Sequence, residues 1–404
     1  MISAIIASAA LAFSACTTSP NIKPAIGDTT APVENKAPNA DYKPAFAGQT
    51  RISGVVTKTP YEFKVLTSGL KNPWGIAQLP DGRFLITEKG GTMKIVTKDG
   101  TLGENISGVP AVNSAGQGGL LAVTIDPAFS TNKMIYWTFS LNNAEGNQTA
   151  VAKGKLSADE KSLEEVSVIY KATPAYKGTL HYGGRILFDK TGNIIFSTGE
   201  RSDLETRPQA QWLNSSLGKV IRITTDGKAA ANNPFEGKAD ARPELYTYGH
   251  RNVQGLAMHP VTGEIWESEF GPRGGDEINR LQPGKNYGWP TITYGIEYAG
   301  PKVGAGIQQQ EGMEQPVYYW DPVVSPSGMT FYSSDVIPEW KNNLFVGALS
   351  GMHVLRLVLE GNKVVGEERL LSGENQRFRD VKQGADGALY AVTDQGRFYR
   401  ISKK

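Results

Sequence analysis

His181 is the side chain of this protein best suited to moving a proton near neutral pH. An imidazole has an ordinary pKa of about 6.5, so its neutral form can take the proton of a hydroxyl. It stands in Leu180-His181-Tyr182-Gly183-Gly184-Arg185, at the entry to an apolar run, with glycines that let a ligand come close. A lone histidine is more often a satisfied structural residue, so its company decides. Three other loop segments supply that company. Gly116-Gln117-Gly118-Gly119 sets one amide among glycines. Gly249-His250-Arg251-Asn252 gathers donors just before another apolar run, although an Arg–carboxylate staple between structural units would use the same residues. Arg377-Phe378-Arg379 puts two guanidinium groups on one side of an extended segment. Two such cations repel unless an anion lies between them, which points to an anionic ligand.

A fifth segment is rich in oxygen. Glu267-Ser268-Glu269-Phe270-Gly271-Pro272-Arg273-Gly274-Gly275-Asp276-Glu277 holds four carboxylates and a Gly-Pro pair with exposed carbonyls. Calcium takes six to eight oxygens of these kinds, although the spacing is not that of an EF-hand. Other metals are disfavoured: there is a single cysteine, Cys16, and four histidines without metal-ligand spacing. The net charge of +2, with no Lys/Arg block, gives no footprint for a nucleic acid or an anionic membrane.

The elements that must position these loops are strands. An apolar run, a turn such as Asp81-Gly82 or Asp386-Gly387, and a second apolar run recur along the chain. Copies open at Trp74-Gly75-Ile76, Gly119-Leu120-Leu121, Gly184-Arg185-Ile186, Gly255-Leu256-Ala257, Gly328-Met329-Thr330 and Arg379-Asp380-Val381. Helical periodicity is scarce. Six copies of this length predict an all-β, six-bladed β-propeller of four-stranded antiparallel sheets over residues 50–404. Ahead of it, residues 1–16 read as a signal peptide of lipoprotein type, with Cys16 as the lipidated residue. Residues 17–49, rich in Thr, Pro, Ala and Asn, read as a disordered linker. The expectation is an exported, periplasmic protein tethered to the outer membrane through its lipid alone.

Taken together, NPWGIA at Asn72, GQGGLL at Gly116, HYGGR at His181, SLGKVIRI at Ser216, GHRNVQGLA at Gly249, ESEFGPRGGDEIN at Glu267, NYGWP at Asn286, WDPVVSPSGM at Trp320 and RFRDV at Arg377 resemble the PQQ-dependent aldose sugar and soluble glucose dehydrogenases. The resemblance implies oxidation of the C1 hydroxyl of aldoses to lactones, with PQQ and Ca²⁺ as cofactors and His181 as general base. It implies PQQ contacts at Gln117, Arg251, Asn252, Tyr298, Ala348, Leu349, Ser350, Arg377, Phe378 and Arg379. It places one Ca²⁺ on the carbonyls of Gly271 and Pro272, and a structural Ca²⁺ at Glu277 and the Tyr287 carbonyl. The electron acceptor is unknown, and the chain is a monomer or a homodimer. The alternatives are a Ca²⁺-dependent propeller lactonase, which needs no arginine pair, and a non-catalytic sugar- or protein-binding propeller. Ser350 departs from the family pattern, which has lysine there. Ser350→Lys is therefore expected to tighten PQQ binding, and an unchanged dissociation constant would contradict that reading.

Overall fold

The computed structural model describes residues 31–404. The 1–16 signal peptide expectation lies outside those residues, as does the first part of the 17–49 linker.

Strand β1 (Tyr61–Thr67) precedes blade 1, which comprises β2 (Pro73–Gln78), β3 (Phe84–Glu88), β4 (Thr92–Val96) and β5 (Leu102–Asn105). Blade 2 is β6 (Leu120–Ile125), β7 (Met134–Asn143), β8 (Gly146–Leu156) and β9 (Leu163–Lys171). Blade 3 is β10 (Ile186–Phe188), β11 (Ile194–Ser197), β12 (Lys219–Ile223) and β13 (Leu245–Tyr248). Blade 4 is β14 (Val253–Met258), β15 (Ile265–Glu269), β16 (Asp276–Arg280) and β17 (Tyr318–Trp320). Blade 5 is β18 (Pro326–Phe331), β19 (Leu344–Ala348), β20 (His353–Glu360) and β21 (Lys363–Leu370). Blade 6 is β22 (Phe378–Gln383), β23 (Leu389–Thr393), β24 (Phe398–Lys403) and β1, which supplies the outermost strand and closes the ring.

The six sheets are the six expected blades, each four-stranded and antiparallel. Each of the six sequence copies opens the innermost strand of one blade. Most of those strands are nearly continuous in apolar and small residues because both faces are covered by neighbouring blades, whereas β22 (FRDVKQ) carries the axial carboxylate Asp380. The core is accordingly divided into wedges. Leu85 and Met93 of blade 1 pack with Trp137 and Phe139 of blade 2. Ile95 belongs to that wedge also, and Val346 and Leu355 of blade 5 pack with Trp266 and Trp320 of blade 4. One short α-helix, Phe129–Asn132, and three 3₁₀ turns are the only helices among the described residues. None is long and apolar enough to cross a membrane.

At the axis the blades are pinned by polar groups. Arg185 Nη1 lies 2.9 Å from Asp380 Oδ2, both side chains almost fully buried. The same oxygen accepts the Ile76 N–H at 3.0 Å, and Arg185 Nε donates to the Gln254 carbonyl at 2.9 Å. The Arg185 guanidinium lies 4.3 Å from the Trp74 ring centre. Blades 1, 3, 4 and 6 thus meet in one network.

Residues 31–49 depart from the expected disordered linker. They lie along blades 4 and 5 as a strap, so the ordered unit begins well before residue 50. Asn39 N–H and Ala40 N–H donate to the Asp321 carboxylate at 2.9 and 3.1 Å, and Glu34 pairs with Arg369 at 3.0 Å. Gln49 is fully buried and donates to the Pro316 carbonyl at 3.0 Å. The strap is held by side-chain amides, carboxylates and backbone groups rather than by an apolar stripe, which is why it carries no hydrophobic periodicity.

Candidate active site

Neighbouring strands in a blade run antiparallel. The start of each inner strand and the segment following each second strand therefore share one end of the ring. That end receives His181 before β10, Arg251 and Asn252 before β14, and Arg377 before β22. It also receives Lys89 after β3, Glu200 after β11, Gly271 after β15, Ser350 after β19 and Asp394 after β23.

His181 is 4% exposed and its backbone sits at φ 45°, in the left-handed region. Holding a non-glycine residue there costs on the order of 1–3 kcal/mol, which the surroundings must supply. They do so from several sides. The His181 N–H donates to Gln117 Oε1 at 2.9 Å. Gly199 presses so closely on the His181 carbonyl that a Cβ there would lie 2.2 Å from its oxygen. Arg201, stacked 4.0 Å from the Tyr182 ring centre, donates to the preceding Leu180 carbonyl at 3.0 Å. On the ring itself, Nδ1 lies 2.8 Å from Glu200 Oε1. A carboxylate can only accept, so Nδ1 carries the proton and Nε2 presents its lone pair. Burial pushes the imidazole pKa down to about 4, and the Arg251 charge adds to this, while Glu200 opposes both. His181 is therefore a neutral base at pH 7.

Beside it, a cavity of about 350 Å³ opens at the end of the ring. Gln117, Leu349, Arg377 and Arg379 line it, together with Asn72, Trp74, Lys89, Tyr182, Gly183, Gln254, Phe270 and Asp394. The anion expected between the two arginines is present in the chain itself. Asp394 Oδ2 lies 2.9 Å from Arg377 Nε, and Oδ1 lies 2.8 Å from Arg379 Nε. One carboxylate shared by two guanidinium groups still leaves a net positive wall.

Arg251 and Asn252 sit behind this cavity. Asn252 Oδ1 accepts the Gly183 N–H at 2.9 Å, and its buried Nδ2 has no partner. The Arg251 guanidinium forks onto carbonyls rather than a carboxylate: Nη1 donates to Gly271 at 2.7 Å and to Phe270 at 3.2 Å. It is no inter-blade Arg–carboxylate staple. The same guanidinium stacks 5.2 Å from the Trp289 ring centre and approaches Tyr298, whose ring is 67% exposed at the rim. Ala348, Ser350 and Phe378, the other expected contacts on these loops, do not line the cavity. Ala348 and Phe378 point into the core wedges, Phe378 because strand alternation turns it away from the two arginines. Ser350 is exposed and its hydroxyl pairs with Ser325 at 2.8 Å.

A second, far smaller cavity, about 10 Å³, is lined by Arg251, Glu269, Gly271, Glu277 and Tyr287 among others. This is room for a single water or ion. His250, Glu267 and Glu269 bring ligand atoms within 4.8 Å of one another next to it. Glu267 Oε2 is buried without a hydrogen-bond partner. Burial, reinforced by Glu269, pushes the carboxyl pKa values of Glu267 and Glu277 well above the ordinary range. Asp276 differs in role: three backbone N–H groups, from Gly271, Val324 and Ser325, donate to it and fix the Gly271-Pro272 turn.

Glu200, Arg201, Lys89 and Asp394 were not singled out from the sequence. The signal that finds them is position: each stands within four residues after the second strand of its blade, at the end of the ring where the loops converge.

A family model for glucose/sorbosone dehydrogenases matches residues 70–400. Aldose sugar dehydrogenase YliI of Escherichia coli is 41% identical over 346 residues, spanning 84% of this chain and 92% of that protein. A crystal structure of a glucose dehydrogenase superposes with a TM-score of 0.81 at 42% identity, covering 85% of this chain and 99% of that one. The PQQ-bound aldose sugar dehydrogenase from Streptomyces coelicolor gives 0.70 at 29% identity, covering 86% and 99%. With the fold, the histidine–carboxylate pair and the cationic cavity already in place, these likenesses are of one kind: the chain belongs to the glucose/sorbosone dehydrogenase family.

Proposed function

We propose that this protein is an exported, PQQ- and Ca²⁺-dependent aldose dehydrogenase that converts the C1 hydroxyl of aldose sugars to the lactone. The observation that carries this reading is a buried, neutral histidine held by a carboxylate beside a cavity whose charged walls are three cations and one acid. That charge balance favours a ligand with several carboxylates, as PQQ has, over the carboxylate-rich centre a lactonase needs.

The residues present fit both groups. Arg377, Arg379 and Gln117 would hold PQQ from the cavity wall, and Tyr298 would flank it at the rim. The unpartnered Asn252 Nδ2 and Arg251 Nε are buried donors behind it. Glu277 and the Tyr287 carbonyl, with Glu269 and the orphaned Glu267 oxygen nearby, fit a structural Ca²⁺. At the Gly271-Pro272 turn an ion would compete with Arg251 for the Gly271 carbonyl. When bound, PQQ would accept the hydride leaving C1, and Ca²⁺ would polarise its quinone carbonyl.

The chain's own part is proton transfer and positioning. His181 Nε2 takes the proton of the C1 hydroxyl as the carbon–oxygen double bond of the lactone forms. Glu200 stabilises the imidazolium that results and keeps Nδ1 protonated, so the lone pair stays on Nε2. Arg201 and Gln117 hold the ring's backbone in its strained conformation.

Glu200→Gln should cut kcat by about 10²-fold or more, since the charge that stabilises the imidazolium is lost. It also removes an influence that raises the His181 pKa, so the acid limb of the kcat profile should lie at lower pH in the variant than in the wild type. An unchanged profile would show that Glu200 does not act through the histidine. The function itself is tested with protein made in a host without PQQ, following dye reduction with glucose, xylose and maltose. Reduction is expected only when PQQ and Ca²⁺ are both added; reduction without PQQ, or none with both, would refute the reading.

A further inference from the structure

We propose that Lys89 is a cofactor-binding residue: its ammonium supplies the third cation of the central cavity and contacts a carboxylate of the bound quinone. This rests on the PQQ reading above.

Lys89 begins from a rigid corner. Its N–H donates to the Asn72 carbonyl at 3.0 Å, and its carbonyl accepts the Leu120 N–H at 3.1 Å, so blades 1 and 2 are both tied to its backbone. From there the half-buried side chain lines the same cavity as Gln117, Arg377 and Arg379. Nζ donates to the Ser114 carbonyl at 2.5 Å. An ammonium has three donors, and no carboxylate pairs with this one among the described residues. Burial lowers its pKa and the nearby Arg379 lowers it further, with only Asp394 acting the other way. Of the two charges acting on the ammonium, Arg379 outweighs Asp394.

Asp394 is spent on both arginines, which leaves about one positive charge there, and Lys89 adds a second. Two uncompensated charges on the wall of a partly closed cavity are costly without an anion and favourable with one. Ser350, where the family pattern has lysine, brings no charge and is paired with Ser325. Lys89 enters from blade 1 rather than blade 5 and restores the cation that Ser350 lacks. The competing view is that Lys89 merely braces the Ser114 loop, which carries Gln117.

The two views separate in an equilibrium titration of the full chain with PQQ in Ca²⁺-containing buffer, followed by fluorescence quenching at several salt concentrations. Lys89→Met should weaken PQQ binding about tenfold or more and flatten the dependence of Kd on salt, because one charge–charge contact is gone. Lys89→Arg should keep most of the affinity and the full salt dependence. If Lys89→Met binds as tightly as wild type, or binds more weakly with an unaltered salt slope, the proposal is overturned, the second result leaving only the bracing role. Wild-type protein that fails to take up PQQ at all would instead overturn the cofactor assignment, and this inference with it.

Discussion

Replacing His181 by alanine should lower turnover about 10²–10⁴-fold while PQQ still binds. That is the span removed when a positioned general base is lost. Two features of the ring make it the base. Its Nδ1 is occupied by Glu200, its pKa lies near 4, and so its other nitrogen is a ready proton acceptor throughout the neutral range. Alanine also strands the buried Glu200 and leaves a β-carbon residue at φ 45°, so some stability would be lost along with activity. His181→Asn separates the two effects. Asparagine tolerates the left-handed region and can donate to Glu200, but its amide takes no proton near neutral pH. It should fold like the wild type and be as inactive as the alanine variant. Near-normal kcat in His181→Asn, measured with saturating PQQ, would remove the histidine from the chemistry.

The second large effect is on stability. Asp380→Ala should destabilise the fold by about 3–5 kcal/mol, the usual result of removing one partner of a buried ion pair. Arg185 would be left charged within the axis, and the Ile76 N–H would lose its acceptor at the same time. Since the pair links blades 1, 3, 4 and 6, the loss should appear as a lower Tm for the whole protein and not as fraying of one blade. A thermal melt or denaturant titration would show it. A Tm within a degree of wild type would mean that the axial network contributes little and that the wedges between blades carry the ring alone.

The blades were legible because each inner strand repeats the same chemistry. Buried on both faces, most of these strands are apolar or small along their length, and glycines lead into β6, β10 and β14. The candidate site was legible where polar residues lead into those strands, beside glycines at His181 and Arg251 and as a close pair of arginines at Arg377 and Arg379. It was not legible where a polar residue sits in an ordinary turn. Lys89-Gly90-Gly91 and Asp394-Gln395-Gly396 read as hairpin connections, and nothing in their composition says that these turns face the axis. Asp394 matters most here. The sequence shows that two neighbouring arginines need an anion, but a carboxylate supplied 15 residues later by the chain answers that need locally. Glu200 was hidden for a similar reason, since its pairing with His181 arises from the ring's geometry and from no fixed spacing. The strap over 31–49 is hidden in the sequence because a segment held by Asn39, Gln49 and Glu34 has the composition of a tether.

The most direct measurement is a crystal structure of the protein grown with PQQ and Ca²⁺. Planar density should fill the cavity beside His181, with the carboxylates of PQQ against Arg377, Arg379 and Lys89. An empty cavity at saturating PQQ, with the cofactor lying outside the ring or His181 Nε2 facing away from it, would contradict the proposed function.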